Sequence, residues 1–237
     1  MYYIHITLFY CYKMVQRLIY LKIFKNAGTS LVNLFFNAYG KEAVLHVGYK
    51  DALHGEYQGP INMDYDFGHI KVIVLYSPQR TLEFIDKHPD IWHNTYKFSI
   101  IRNPYHKAVS GWNYCYKMNI HKGIPFHKTL EDLLRDPPTI QHSYHDFHHF
   151  TIRQIDFLWF DNKIVADKLI HQENLEEELE AFFQEIDWTE INEYEVPHLN
   201  SNKCNYDRYL TPEVITLIND HFCGDFRYLD YDKIEND

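Results

Sequence analysis

The chain has little cysteine: four residues in 237, Cys11, Cys115, Cys204 and Cys223. They are too few and too scattered to form a disulfide scaffold. No C-x-x-C occurs, so neither a zinc ribbon nor a thioredoxin-type redox site is indicated. A Cys204–Cys223 bridge would require export, and the absence of any N-x-[ST] sequon weighs against export. Positive charge is also short. Thirty-three acidic residues face 23 basic ones, for a net charge of −10. That argues against a protein held to nucleic acid by phosphate contacts, and against a broadly basic groove for highly sulfated polymers. A local basic patch remains compatible with this balance.

Long apolar runs are missing too. Met1–Tyr12 is apolar and aromatic, but His5 and Thr7 interrupt it and Lys13 ends it. It is too short for a helical bilayer span, and it lacks the basic start and small-residue cleavage site of a signal peptide. The expectation is a soluble or cytoplasmic chain with no membrane span. Residues 1–13 read either as an extra strand or as an extension ahead of Met14. No linker, internal repeat or low-complexity block appears. The length suits one α/β domain over 1–237 with a substantial core. Hydrophobic residues make up 46% of the chain and aromatics 17%, so most of the twenty tyrosines and sixteen phenylalanines are expected to pack.

What the chain does have is a pair of strand–turn–helix corners rich in anion-binding groups. The first is Lys22-Ile23-Phe24-Lys25-Asn26-Ala27-Gly28-Thr29-Ser30. An apolar run, Leu18–Phe24, reads as a buried strand before it, and Leu31–Tyr39 reads as a helix stopped by Gly40. Backbone N–H groups and the dipole at such a helix start favour negative charge. Thr29 and Ser30 add hydroxyl donors, and Lys25 adds a mobile cation. The same segment also reads as a plain corner with an Asn-Ala-Gly turn. It is not the common nucleotide P-loop, whose lysine directly precedes the Ser/Thr.

The second corner is Phe98-Ser99-Ile100-Ile101-Arg102-Asn103-Pro104. Phe98–Ile101 reads as a buried strand, Asn103 as a cap and Pro104 as a first helical residue. Tyr105, Val109, Trp112 and Tyr116 then share one helical face. Arg102 stands at the strand end, and Ser110 follows it eight residues later, two turns into the helix. A planar guanidinium matches a phosphate with paired donors, and a hydroxyl completes the grip. Alone, the Arg could equally serve a structural salt bridge.

Taken together, the two corners resemble the carbohydrate sulfotransferases of the heparan and chondroitin type, which use 3′-phosphoadenosine 5′-phosphosulfate. Asp167–Leu175, with its Glu-Asn-Leu, looks like a further segment of that family. So do Pro197–Ser201, Tyr209–Glu213 and Asp225-Phe226. The resemblance runs from about residue 18 to residue 231 and is poorest over roughly 41–95 and 117–160. It implies a P-loop-type, three-layer α/β/α fold with a mostly parallel sheet. It implies a sulfuryl transfer from the phosphosulfate to a carbohydrate hydroxyl, without a metal. It assigns the 5′-phosphosulfate to Lys25, Asn26, Ala27, Gly28, Thr29 and Ser30, the leaving-group charge to Lys25, and the 3′-phosphate to Arg102 and Ser110.

The catalytic base is where the chain departs from the pattern. Related enzymes often carry a His upstream of the second motif's Arg, where this chain has Tyr76-Ser77-Pro78-Gln79-Arg80. The first choice is His69, just before the expected strand Lys71–Tyr76; His54, Glu83 and His93 follow. Two other readings stand beside the sulfotransferase: a P-loop-like kinase, and a nucleotide- or glycan-binding homologue without catalysis. The histidines at 142, 145, 148 and 149, with Asp146, form the best metal candidate, but their spacing fits no closed site. Elsewhere, Gly48–Gly68 reads as a long loop, and helical segments are expected at Thr81–Lys87, Leu130–Leu134, Leu175–Ile186 and Val214–Phe222. Alternating strands and helices imply a parallel sheet whose ligand lies beyond the strand C-termini.

Overall fold

The computed structural model describes residues 17–48, 65–117, 126–135, 151–188, 191 and 205–235. Its centre is a five-stranded sheet of β1 (Leu18–Leu21), β2 (Val44–Val47), β3 (Val72–Leu75), β4 (Tyr96–Ile101) and β7 (Lys168–His171). Their order is β2-β3-β1-β4-β7, and every pairing is parallel. β1 and β3, Leu-Ile-Tyr-Leu and Val-Ile-Val-Leu, are buried at every position. Near-continuous apolar strands are what a sheet covered on both faces requires. A separate two-residue hairpin, β5 (Trp159–Phe160) and β6 (Lys163–Ile164), turns through Asp161 and Asn162, both at positive φ.

Alternation along the strands divides the core. Leu18, Tyr20, Val72, Val74, Phe98, Ile100 and Ile170 face α1 (Gly28–Tyr39) and α7 (Leu175–Glu185), meeting Leu31, Phe35, Leu179 and Phe182. Ile19, Leu21, Ile73, Leu75 and Ile101 face the other way. They pack with Phe84 of α2 (Pro78–Lys87), Trp92 of α3 (Pro89–Asn94) and Phe157 of α6 (Ile155–Leu158). A third apolar cluster joins α4 (Pro104–Lys117), α5 (Phe126–Arg135), α8 (Pro212–His221) and α9 (Cys223–Tyr228) through Tyr105, Trp112, Phe126, Ile218 and Phe222. The result is the three-layer, parallel α/β/α architecture of the P-loop type.

Several elements differ in extent from their sequence reading. β1 stops at Leu21, three residues early, and only Lys22 N→Leu75 O (2.9 Å) continues its ladder. α1 starts at Gly28, so Thr29 and Ser30 are first-turn residues. α2 begins at Pro78 because Ser77 caps it, accepting from Arg80 N. α5 begins four residues ahead of its expected start at Leu130. Residues 1–16, most of the 48–68 loop, Cys204, Pro197–Ser201 and the histidines at 142–149 lie outside the described residues. No helix among the described residues is long and apolar enough to cross a membrane.

Phe98 sits at the middle of the sheet, fully buried, stacked on Tyr20 at 5.0 Å and tilted against Phe182 at 5.0 Å. Phe98→Ala should lower unfolding free energy by about 3–5 kcal/mol, as core Phe truncations do. Leu82→Ala, on the exposed side of α2 (53% exposed), should cost no more than about 0.5 kcal/mol. Urea denaturation of both variants checks the contrast, and equal losses would contradict this packing.

Candidate functional site

In a sheet of this order, β1 leads through α1 toward β2 on one side, while β4 lies on the other. The crevice between the C-terminal ends of β1 and β4 is therefore the topological switch point, where open α/β sheets take their ligands. Both anion-binding corners end there. Ser99 Oγ, donating to Leu21 O at 2.6 Å, ties the two strands just below.

The loop after β1 is unusual in its backbone. Lys25 (φ 67°) and Ala27 (φ 53°) are both left-handed, a conformation that non-glycine residues hold only when surroundings impose it. Asn26, between them, is fully buried. Its Nδ2 donates to Ile100 O (2.8 Å) and to Gln154 Oε1 (2.6 Å). Gln154, also fully buried, accepts from Arg102 N (2.8 Å) and donates to Arg102 O (2.7 Å). One amide thus pins both corners at once. Behind it, Asp225 accepts from Gln154 N (3.0 Å) and Ile155 N (2.8 Å). Burial pushes the Asp225 carboxyl above the usual range, against the pull of those N–H groups and of Lys107. Lys107, fully buried and donating to Ile152 O, is pushed down by burial to about 8.

Arg102 spans the crevice. Its Nη1 donates to Lys25 O (2.8 Å) and its Nη2 to Tyr206 Oη (2.6 Å). His106 of α4 stacks on Tyr206, ring centroids 4.5 Å apart, and the Lys25 ammonium lies 4.5 Å from the Tyr114 ring centroid. Residues 106, 110 and 114 are four apart and share one face of α4. Ser110 therefore lies midway between the Arg102–Tyr206 end and the Lys25 end. The structure brings Lys25–Ser30, Arg102 and the Ser110 face to one place.

The start of α1 completes the cradle. Ala27 at the N-cap supplies no side-chain cap, and the first turn contains no acidic residue. Thr29 is exposed and Ser30 buried. Gly28 is crowded: a Cβ there would lie 2.7 Å from Lys22 Cε and 3.1 Å from Tyr20 Oη, so the lysine would have to shift to admit one. Those two residues belong to a polar group that sequence reasoning missed. Lys22 is half-buried by surface, but its ammonium end lies among rings, 4.7 Å from the Tyr76 ring centroid and 5.7 Å from that of Phe24. Burial, and then Lys25, push it down to about 8. Tyr76 is buried at the end of β3, and its hydroxyl hydrogen-bonds His46 Nδ1 of β2 at 2.6 Å. Burial and Lys22 lower the His46 pKa, keeping the ring neutral at physiological pH.

The base candidates fare differently. His69 sits in the exposed turn before β3, and because the sheet is parallel this is the N-terminal end, opposite Lys25. The strand alone interposes about 13 Å, so His69 stands at the end of the sheet away from Lys25. His93, exposed on α3 ahead of β4, is at that end too. Glu83 is held by Arg80, and His54 lies outside the described residues. An open cleft of about 680 Å³, lined by Tyr65, Phe67, Lys87, His88 and Asp90 among others, also opens at the N-terminal end of the sheet, away from the cradle. Among the described residues no cluster of three His, Cys, Asp or Glu could hold a metal ion.

No protein-family model matches the chain, and no curated protein matches it. A solved structure, that of a sulfotransferase from Alicyclobacillus acidocaldarius, is similar over 90% of this chain and 93% of that one. The identity is 12% and the TM-score 0.49. The fold assignment rests on the sheet order and strand directions themselves.

Gln154→Leu keeps the volume of the side chain but leaves Asn26 Nδ2 short of one acceptor and the Arg102 backbone without either partner. It should destabilise the protein by about 3–5 kcal/mol, the range for breaking a buried hydrogen-bond network. Urea titration reads this directly. A loss under about 1 kcal/mol would show that the amide is not what pins the corners.

Proposed function

We propose that the chain is a sulfotransferase that moves a sulfuryl group from 3′-phosphoadenosine 5′-phosphosulfate to a hydroxyl of a carbohydrate. The observation that carries this reading is the meeting, at the switch point, of an uncapped helix start with Lys25 and of Arg102 from the next strand. The residues fit such a donor. The α1 start has no side-chain cap and no acid in its first turn, so its N–H groups suit an anion. Asn26 Oδ1, in the same loop, is buried without a partner among the described residues. Arg102 gives one N–H to the loop carbonyl and one to Tyr206, and its remaining donors suit a phosphate held beside Ser110.

When bound, the donor supplies an activated sulfuryl group on a phosphate leaving group. Lys25 and the first-turn amides stabilise the charge that grows on the departing phosphate oxygen, an electrostatic role performed by groups already in place. Arg102 both grips the 3′-phosphate and fixes the loop through Lys25 O. Proton acceptance, for which His69 is misplaced, falls to the His46–Tyr76 pair at the C-terminal edge beside Lys22. A depressed His46 pKa keeps an unprotonated imidazole there across neutral pH. The same loop chemistry would serve a kinase, and a binding homologue would keep the cradle without the base.

A calorimetric panel separates these readings. Adenosine 3′,5′-bisphosphate should bind at least about tenfold tighter than AMP and than ATP, because a site built for a charged 3′ group is left unpaired without it. Equal affinity for AMP would remove the 3′-phosphate role of Arg102 and Ser110, and preference for ATP with Mg²⁺ would favour the kinase.

Turnover of labelled phosphosulfate donor with a glycan panel should fall about 10²–10³-fold in Lys25→Ala, with bisphosphate affinity changed far less. In His46→Asn it should fall by about 10²–10⁴-fold, the usual worth of a general base. Wild-type turnover should also decline as pH drops through the depressed His46 pKa, since only the neutral ring accepts a proton. Unchanged turnover in His46→Asn would remove the pair from the mechanism.

A further inference from the structure

Under the first turn of α1 lies a cation, Lys22, to which the sequence reading gave no anion-binding role. Lys22 follows β1 with the same parity as Leu18 and Tyr20, so its side chain lies on the α1 face of the sheet. Its Cε and Cγ pass so close to Gly28 that a Cβ there would lie 2.7 and 2.9 Å from them. Its ammonium has no hydrogen bond or ion pair among the described residues, only the rings of Tyr76 and Phe24. A sequestered ammonium without a hydrogen-bonded counter-charge is costly. The groups facing it do not offer one. Tyr20 comes from β1, Tyr76 from the end of β3 and His46 from β2. Lys25 adds like charge, and the first turn of α1 has no acid. Tyr20 points into the same space with a fully buried hydroxyl that has no partner among the described residues.

We propose that Lys22 is a second cation of the cradle, which binds a phosphosulfate-class anion at the α1 start together with Lys25, and only when protonated. Tyr20 lends its hydroxyl as a neutral donor from below. The proposal rests on reading the α1 start as the donor site. It adds to the roles of Lys25–Ser30, Arg102 and Ser110 an anion affinity tied to the protonation of one further lysine. Without an anion, burial and Lys25 hold the amine near 8. An anion favours the charged form and raises that value, so binding takes up a proton over the alkaline range. The sign follows: affinity is full below about pH 8 and lost as pH rises above it.

The probe is adenosine 5′-phosphosulfate, whose anhydride keeps one charge state over this range. Calorimetric titration of the wild-type chain from about pH 7 to about pH 9.5 should show affinity falling roughly ten- to thirtyfold. Lys22→Met should bind roughly tenfold more weakly at neutral pH and show no such fall, having lost one charge-assisted contact. Lys22→Arg, whose charge does not titrate, should stay within about threefold across the range. A flat wild-type profile, or an undiminished fall in Lys22→Met, overturns the proposal. Failure of the donor-site reading looks different: the fall with pH persists and depends on Lys22, while the bisphosphate shows no advantage over AMP. Absence of phosphosulfate binding at every pH sinks both.

Discussion

The side-chain amide of Gln154 is the interaction on which the site depends. It closes a two-bond ring with the backbone of Arg102 and, through the same oxygen, takes Asn26 from the neighbouring corner. Neither corner is regular structure. Lys25 and Ala27 hold left-handed backbone that relaxes unless something outside the loop holds it. Asp225, accepting from the two N–H groups at 154 and 155, holds the amide in turn. The crevice geometry is thus set from behind, by buried polar groups. Buried hydrogen-bond networks of this kind rigidify what they join.

Direction is the second constraint. Because all five strands run parallel, every strand-to-helix corner opens at one end and every helix-to-strand corner at the other. Lys22, Lys25, Tyr76 and Arg102 each follow a strand and converge. His69 precedes one and cannot join them. His46 lies within β2, yet its register opposite Val74 sets it level with the end of β3, where Tyr76 meets it. A histidine close in sequence to a strand is useful or useless according to which end it occupies.

Much of this was legible in the sequence. Leu18–Leu21 and Val72–Leu75 are uninterrupted apolar runs, and such runs announce a doubly covered sheet. Pro104 behind Asn103 marked the start of α4, and Asn103 Oδ1 does accept from Tyr105 N at 3.0 Å. The loop and Arg102 fell on adjacent strands as the sheet order requires. What escaped reading was carried by contacts far apart along the chain. Gln154 meets Asn26 across 128 residues, and nothing in its local sequence distinguishes it from a surface glutamine. Tyr206 reaches Arg102 across 104 residues. Lys22 hid inside what read as an apolar strand. Its parity with Tyr20 was visible, but β1 ending at Leu21 and the squeeze against Gly28 were not. His46 gave no signal, because a lone His in a short strand carries none until its partner is known.

The reach of these contacts also bears on how the protein is made. The anion loop is among the first described segments to leave a ribosome, and chains generally fold from the N-terminus as they are synthesised. Yet its left-handed residues wait on Gln154, and Arg102 waits on Tyr206, whose hydroxyl arrives a hundred residues later. Closing such distant pairs is slow compared with forming the helices beside them. A nascent chain that already has β1 and α1 therefore carries a loose, unformed cradle. The crevice reaches its final geometry only after Tyr206 and Asp225 of α9 are in place, so a formed crevice reports on the completion of folding.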